Sequence, residues 1–383
     1  MKQILLSIMI LALISLQNHA QNISGSHAYR IGDKITKQVV EYAPDEVSFA
    51  NMVWDLRELS EQDGKHMVSY IDVFGKDNLL AGVEDNTLHY YEHRNDSLLK
   101  WGYENNLTKV EYDSPILMLK TPLVYGSRQV GLFHGRTSYC ERVFSRVFGE
   151  YMVEVDGTGI LLLPGGDTLR YVSRVHLREV TVSRPCPQLS TYKTLKAYTD
   201  SLPFTNDSIR AGLLSDSLRT VTDTYRWYAL GYRYPILETV RTEIQGCKPV
   251  TAAYYCPPEE QQTLYDDENE KVRKQLADLD RQNANAGNNG DGNGQGDTQP
   301  SALSRCDVSV SGQTITIDYD LSEGATVEGL VCNVSGMVFR QQSQTHAPGE
   351  HYRMQLDCTG LRRGEYVLYL NVNGQVTGTT VSL

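Results

Sequence analysis

His89 and His93 stand four residues apart, the spacing that sets two imidazoles on one helical face as a zinc pair. The intervening Tyr90-Tyr91-Glu92 does not complete an HExxH motif, and the segment alternates like a strand, where that spacing leaves two rings on one face but well apart. No metal is expected there. The seven cysteines, Cys140, Cys186, Cys247, Cys256, Cys306, Cys332 and Cys358, contain no CxxC pair, which disfavours zinc-ribbon and thioredoxin-type chemistry. Cys247 and Cys256 flank 248–255, a span suited to two hairpin arms, and are the candidate disulfide. The alternative is small buried thiols, and the odd count leaves at least one unpaired. There is no GxSxG elbow and no GxxxxGK[ST] loop, and the glycines around Asp156 open no helix. A site assembled from distant strands would be invisible among 47 acids. Catalytic residues therefore stay unassigned, and no cofactor is expected. Trp54, Trp101 and Trp227, with 24 tyrosines, are the material of a glycan-binding surface, although strand framework is their more economical role.

The elements that would position any such site are strands. Between 28 and 182, β-branched, aromatic and leucine residues form short runs at 66–74, 87–92, 97–103, 128–137, 151–155, 159–164 and 168–182. Asp156-Gly157 and Gly165-Gly166-Asp167 read as tight turns with positive φ. The pattern predicts a mainly β protein whose N-terminal part, 26–258, is an antiparallel curved sheet or half barrel. A polar excursion at 184–222 carries a short helix around 209–218, after which strand pattern returns at 224–244. From 259 to 282 helix formers place Leu264, Val272, Leu276 and Leu279 on one narrow stripe. The run 283–301 is almost wholly Asn, Gly, Asp, Gln and Ala, too polar to offset its ordering entropy, so 259–304 reads as a helical then flexible linker that lets two units move independently. Asp291, Asn293, Gln295 and Asp297 alternate with glycines there, but no bidentate acid follows at a calcium-loop offset. The last unit, 305–383, alternates cleanly in Thr314-Ile315-Thr316-Ile317-Asp318-Tyr319 and divides into seven short strands, which predicts a small immunoglobulin-like β-sandwich.

The chain opens with Lys2, an apolar run from 4 to 16 and a small residue at Ala20, the pattern of a cleavable signal peptide over 1–20. That run is short of the roughly 20 apolar residues that span a bilayer, and no later stretch reaches that length, so no transmembrane segment is expected after signal cleavage. Removing a leader with one lysine and no acid takes the net charge from −11 to −12, which makes nucleic acid a poor partner. The expected location is extracytoplasmic: cell surface or secreted, alternatively periplasmic.

The last unit resembles the C-terminal domain of proteins handled by the type IX secretion pathway of Bacteroidetes-type bacteria. Its matching residues are Tyr319-Asp320-Leu321, Asn333-Val334-Ser335-Gly336-Met337-Val338 and Leu361-Arg362-Arg363-Gly364-Glu365-Tyr366-Val367-Leu368. The ending Thr379-Thr380-Val381-Ser382-Leu383 departs from that pattern in lacking a basic residue before the final strand. The larger part is similar to the N-terminal β region of uncharacterised secreted proteins that carry such tails, through Asp156-Gly157-Thr158-Gly159, Leu163-Pro164-Gly165-Gly166, Val172-Ser173-Arg174-Val175 and Gly231-Tyr232-Arg233-Tyr234-Pro235-Ile236-Leu237-Glu238. The resemblance carries no active residues. It implies O-glycosylation at Asp-Ser/Thr-aliphatic sites, here Ser97, Thr168, Ser201, Ser208 and Ser217.

These readings predict a non-enzymatic binding or surface-display module with a C-terminal sorting or assembly domain, whose partner is a glycan or a cell-envelope protein. The alternatives are a secreted hydrolase acting on glycan or peptide, and a structural surface component. Oligomeric state is open.

Overall fold

A computed structural model of the chain describes residues 25–42, 48–75, 78–164, 166–186, 204–216, 219–285, 302–333, 337–373 and 375–383. The expected leader over 1–20, Ser201, Ser217 and the run 291–297 lie outside these residues.

The larger unit is built from β1 (Lys34–Val40), β2 (Met52–Asp55), β3 (Glu61–Asp72), β4 (Leu79–Glu84), β5 (Thr87–Arg94), β6 (Ser97–Glu104), β7 (Thr108–Lys120), β8 (Arg128–Tyr139), β9 (Val143–Leu162), β10 (Thr168–Pro185), β11 (Thr220–Ala229), β12 (Leu237–Ile244) and β13 (Val250–Tyr255). They pair in the order β10-β11-β12-β13-β1-β3-β4-β5-β6-β7-β8-β9, and β9 returns to β10, so twelve antiparallel strands close into a barrel. The expected curved sheet or half barrel is corrected by that closure. The joint is β9: at 20 residues it pairs with β8 along one edge and β10 along the other, so no open edge remains between the ends of the sheet.

Asp156-Gly157 is not a turn but the middle of β9. A Cβ on Gly157 would lie 2.0 Å from Ser48 Oγ, and one on Gly159 would lie 1.9 Å from the Met52 carbonyl oxygen. These glycines are there for close approach, because β9 outruns β8 and β2 pairs in parallel along the vacated edge. Gly166 does turn, with φ of 97°.

The smaller unit consists of β14 (Leu303–Ser311), β15 (Thr314–Leu321), β16 (Ala325–Cys332), β17 (Val338–His346), β18 (Gly349–Asp357), β19 (Glu365–Val372) and β20 (Gln375–Ser382). They form a three-stranded sheet, β14-β15-β18, and a four-stranded sheet, β17-β16-β19-β20. Ile315, Ile317, Tyr319 and Leu321 point into the shared core, following the alternation of the sequence.

The two units are packed together rather than independent. Of the eight residues of β16 seven are buried, because its inner face meets the sandwich core while Leu330 and Cys332 turn outward onto Val53 and Leu162 of the barrel. Met52 forms an isolated bridge to Met337, and the Val338 N–H donates to the Asn51 carbonyl at 3.2 Å, so the sandwich continues the edge that β2 began. Arg170 of β10 closes the seam on Glu328 at 3.0 Å.

Three helices among the described residues follow the same economy. α1 (Asn206–Ser215), capped by Thr205, lays Ile209 and Leu213 on Phe148 and Val182 of the barrel wall. The expected single helix after 258 is two, α2 (Pro258–Gln262) and α3 (Asp267–Asn285). Asp266, between them, receives a bidentate hydrogen bond from Arg233 at 2.8 Å for each contact.

A barrel of twelve strands is wider than one that a single ring of side chains fills. Residues 25–33 enter it, and Tyr29 packs against Tyr70, Tyr91 and Tyr234 at centroid distances of 4.8, 5.3 and 5.6 Å. Apolar side chains of β6 to β10, among them Leu98, Phe133, Val175 and Leu177, fill the lumen beside these rings, and buried ion pairs stand with them. Lys100 of β6 reaches Glu179 of β10 at 3.0 Å with three strands between them along the wall, so this pair crosses the interior.

Candidate functional site

The aromatic end of the barrel opens into a cleft of about 1150 Å³ that both units line. β10 supplies Tyr171 and Ser173, the segment before β2 supplies Asn51, the sandwich supplies Leu330 and Gln341, and the floor is His27 with Tyr228. Tyr171 has φ of 56°, a left-handed conformation that a bulky side chain adopts only under constraint. The β9–β10 ladder slips between Leu169 and Val172, and at that bulge the Tyr171 ring stands at the rim, 45% exposed. Such a backbone costs on the order of 1–3 kcal/mol and is kept where surrounding structure enforces it.

The floor carries no charge. Burial drives the His27 pKa down to about 4, against backbone hydrogen bonding to Arg233 and Tyr232 that pulls it up, so the imidazole is neutral. Its Nδ1 has no hydrogen-bond partner among the described residues. Burial also holds the Tyr228 phenol protonated by raising its pKa well above the ordinary value. Asp96 is the one carboxylate among the described lining residues, and the lining guanidinium, Arg170, is matched by Glu328. The cleft therefore presents hydroxyl and amide groups between apolar and aromatic walls. That suits an uncharged polar ligand, at a volume somewhat above the usual range of small-molecule sites.

The opposite half of the lumen collects titratable groups. Glu238 sits between Lys37 and Arg226, each at 2.9 Å, and Glu84 holds His66 at 2.9 Å and His89 at 3.2 Å. Burial pushes the Glu238 carboxyl up, but the combined pull of Arg226 and Lys37 prevails and keeps it far below the usual range. Burial likewise opposes, and His66 with His89 and Lys37 outweighs, so Glu84 is also held low. Glu238 is thus committed to two cations and Glu84 to two imidazoles. No group of three or more His, Cys, Asp or Glu able to hold a metal ion occurs among the described residues.

The residues singled out by sequence fall into different places. His89 joins Glu84, whereas His93 Nε2 accepts the Tyr29 N–H at 2.7 Å, so the pair is divided between the two halves of the lumen. Cys247 and Cys256 are both free thiols, and the expected disulfide is corrected by geometry. Cys247 lies in the turn before β13 and Cys256 just beyond its other end, so a strand of six residues, roughly 20 Å, separates them. Cys256 is buried, and burial raises its pKa to about 11. Ser97 and Thr168 lie at the starts of β6 and β10, half-buried; Ser208 is exposed, but its hydroxyl accepts the Thr205 N–H at 3.0 Å to close the α1 cap. Trp54 and Trp227 pack edge to face at 6.2 Å as framework, while Trp101 faces outward on the barrel wall.

Asn51, Tyr171 and Gln341 were not distinguished by sequence, and Ser173 only as part of the motif Val172-Ser173-Arg174-Val175. Nothing in Leu169-Arg170-Tyr171-Val172 signals a bulge, and Gln341 reaches the cleft only because the sandwich docks. No protein-family model matches the chain, and no curated protein matches it either.

Proposed function

We propose that this protein is an exported binding module that takes an uncharged polar ligand of the glycan class into the cleft between barrel and sandwich. The observation that carries the reading is Tyr171, an aromatic ring held at the rim by a strained backbone, over a chargeless floor and among hydroxyl and amide groups. A hydrolase would use two facing carboxylates or an activated serine; the cleft offers Asp96 alone among its described acids. The export reading rests on the leader and on the type IX-like residues of the tail. The sheet orders β14-β15-β18 and β17-β16-β19-β20 support an immunoglobulin-like assignment for that tail, and its packing on the barrel suits an assembly role as well as a sorting one.

The test is a glycan array probed with the full chain. Binding that falls at least tenfold in both Tyr171→Ala and the cleft-filling Ser173→Trp, with no product released from the bound glycan, is expected. Release of product would replace the binding module by the hydrolase, and binding indifferent to both substitutions would remove the cleft. Mass spectrometry of fractions of the native bacterium tests the export reading: a chain that retains residues 1–20 in the cytoplasm would overturn it.

A further inference from the structure

We infer that the outer wall of the barrel carries a second, smaller saccharide site, built on Trp101 and Tyr90 and independent of the cleft. Three neighbouring ladders slip at one level of the wall. β5 and β6 shift between Tyr90 and Tyr91; β6 and β7 shift between Lys100 and Gly102; β7 and β8 shift between Tyr112 and Ser114. The middle slip is the largest, since Lys100 pairs with Ile116 but Gly102 already pairs with Glu111. Pro115, which has no N–H to give a ladder, lies in the excess of β7, and Gly102, at φ of 134°, lets β6 pass where a Cβ would stand 2.0 Å from the Val110 carbonyl oxygen. Bulges re-aim side chains, and aligned bulges dent a wall. The dent here has a volume of about 270 Å³.

Its lining is specific in kind. The Trp101 indole is fixed by its N–H donating to Glu92 at 2.7 Å, and the Tyr90 hydroxyl donates to Glu104 at 3.1 Å, leaving both half-buried rings as faces of the dent. Lys109 lies 3.1 Å from Glu111 and Arg136 2.7 Å from Asp113, so the charges are matched in place. A free anion would meet these acids, and a free cation would find them already engaged. What remains is a row of acceptors beside donors, next to aromatic faces: a pyranose needs both, because each hydroxyl donates and accepts while the ring's C–H face packs on an indole. The volume lies below the range for drug-sized ligands, which fits one sugar unit and affinity in the millimolar range.

The experiment uses the full chain carrying Ser173→Trp, so that the cleft is filled, titrated with the methyl glycosides of glucose, galactose, mannose and N-acetylglucosamine. Saturation-transfer NMR and tryptophan fluorescence report binding. At least one glycoside is expected to bind saturably, with Kd weakened at least tenfold by Trp101→Ala and about as much by Asp113→Asn. If Trp101→Ala loses its fold by circular dichroism, Trp101→Phe, which keeps a smaller ring, is expected to weaken Kd severalfold. No saturable binding by any of the four, or a Kd unchanged in the folded Trp101 variant, overturns the site. Binding seen without Ser173→Trp and lost with it would place the sugar in the cleft alone, overturning the outer site while leaving the proposed function intact.

Discussion

The two halves of the barrel lumen solve one problem by opposite means. A wide barrel must fill its interior, and the half beneath the cleft does so with rings: Tyr70 and Tyr234 stack at 5.0 Å with Tyr29 wedged against both. The other half mixes apolar side chains such as Phe133 and Leu177 with buried charge, setting Lys37, Arg226 and Lys100 against Glu238, Glu84 and Glu179. Stacked rings tolerate small changes because their stabilisation is spread over area. Paired charges do not, because each desolvated ion depends on its partner. The comparison assigns different sensitivities to the two halves, and substitutions separate them.

The largest effect is expected at Glu238. Removing it in Glu238→Ala strands Lys37 and Arg226 in the lumen with no shared carboxylate, a loss of about 3–5 kcal/mol by urea unfolding. A loss below about 1 kcal/mol would mean that water reaches this half and that its charges are not truly buried.

The next effect is pH-dependent and marks the floor of the cleft. His27 has its folded-state pKa depressed from 6.5 to about 4, because burial penalises the charged ring. The unfolded chain takes up a proton that the native state refuses, so this contribution is full above the unfolded value and is lost as pH falls from about 6.5 to about 4. Unfolding at pH 7 and pH 5 should differ by about 2 kcal/mol on account of His27, and His27→Gln should remove that difference. The carboxylates act lower: Asp266, where burial opposes but Arg233 and Asn269 prevail, is held at about 2, so its contribution persists until the pH falls below about 4. If the His27→Gln profile keeps the full pH 7 to pH 5 slope, the sensitivity belongs to His89 or His93, which burial also lowers.

How much of this was legible in sequence follows from the same contrast. The sandwich strands were readable because Ile315, Ile317 and Tyr319 alternate with polar residues, one face on the core and one toward solvent. β1 was not, because Lys37 occupies a lumen position where the apolar alternation calls for a hydrophobe. β7 was passed over because Pro115 and the outward Lys109, Glu111 and Asp113 read as loop. Closure could not be read, since it depends on β13 finding β1 across the whole unit. The docking of the sandwich left one trace, the unbroken apolar run Leu330-Val331-Cys332 in β16, which marks a strand buried on both faces. The cleft inherits both difficulties, being made where a bulge and a docking seam coincide.

On the aromatic side a smaller change is expected. The Tyr234 hydroxyl donates to Asp33 at 2.9 Å, and Asp33 is also held by Arg30 at 2.8 Å. Tyr234→Phe removes that bond and the one its hydroxyl accepts from the Arg30 N–H at 3.4 Å, keeps the stack and leaves Asp33 a partner, so the cost should be about 1–2 kcal/mol by thermal or urea unfolding. A cost approaching that of Glu238→Ala would show that the rings, too, are held by their polar ends.

The smallest net change is expected from replacing a whole ion pair. Lys100 and Glu179 lie 3.0 Å apart across the lumen, both mostly buried, with Tyr103 and Tyr112 close enough that the Glu179 charge adds to the burial that raises their pKa values. Glu179→Leu alone leaves an ammonium without its carboxylate and should cost about 3 kcal/mol or more. Lys100→Met combined with Glu179→Leu removes both desolvation penalties and adds apolar area beside those rings, so the double variant should return to within about 1 kcal/mol of the parent. The coupling between the two single changes, measured as a double-mutant cycle, would then be large while the net is near zero. That outcome would make the ionic half an arrangement that specifies which strands face each other across the lumen rather than one that adds stability, whereas a double variant as unstable as Glu179→Leu alone would give the pair a stabilising role of its own.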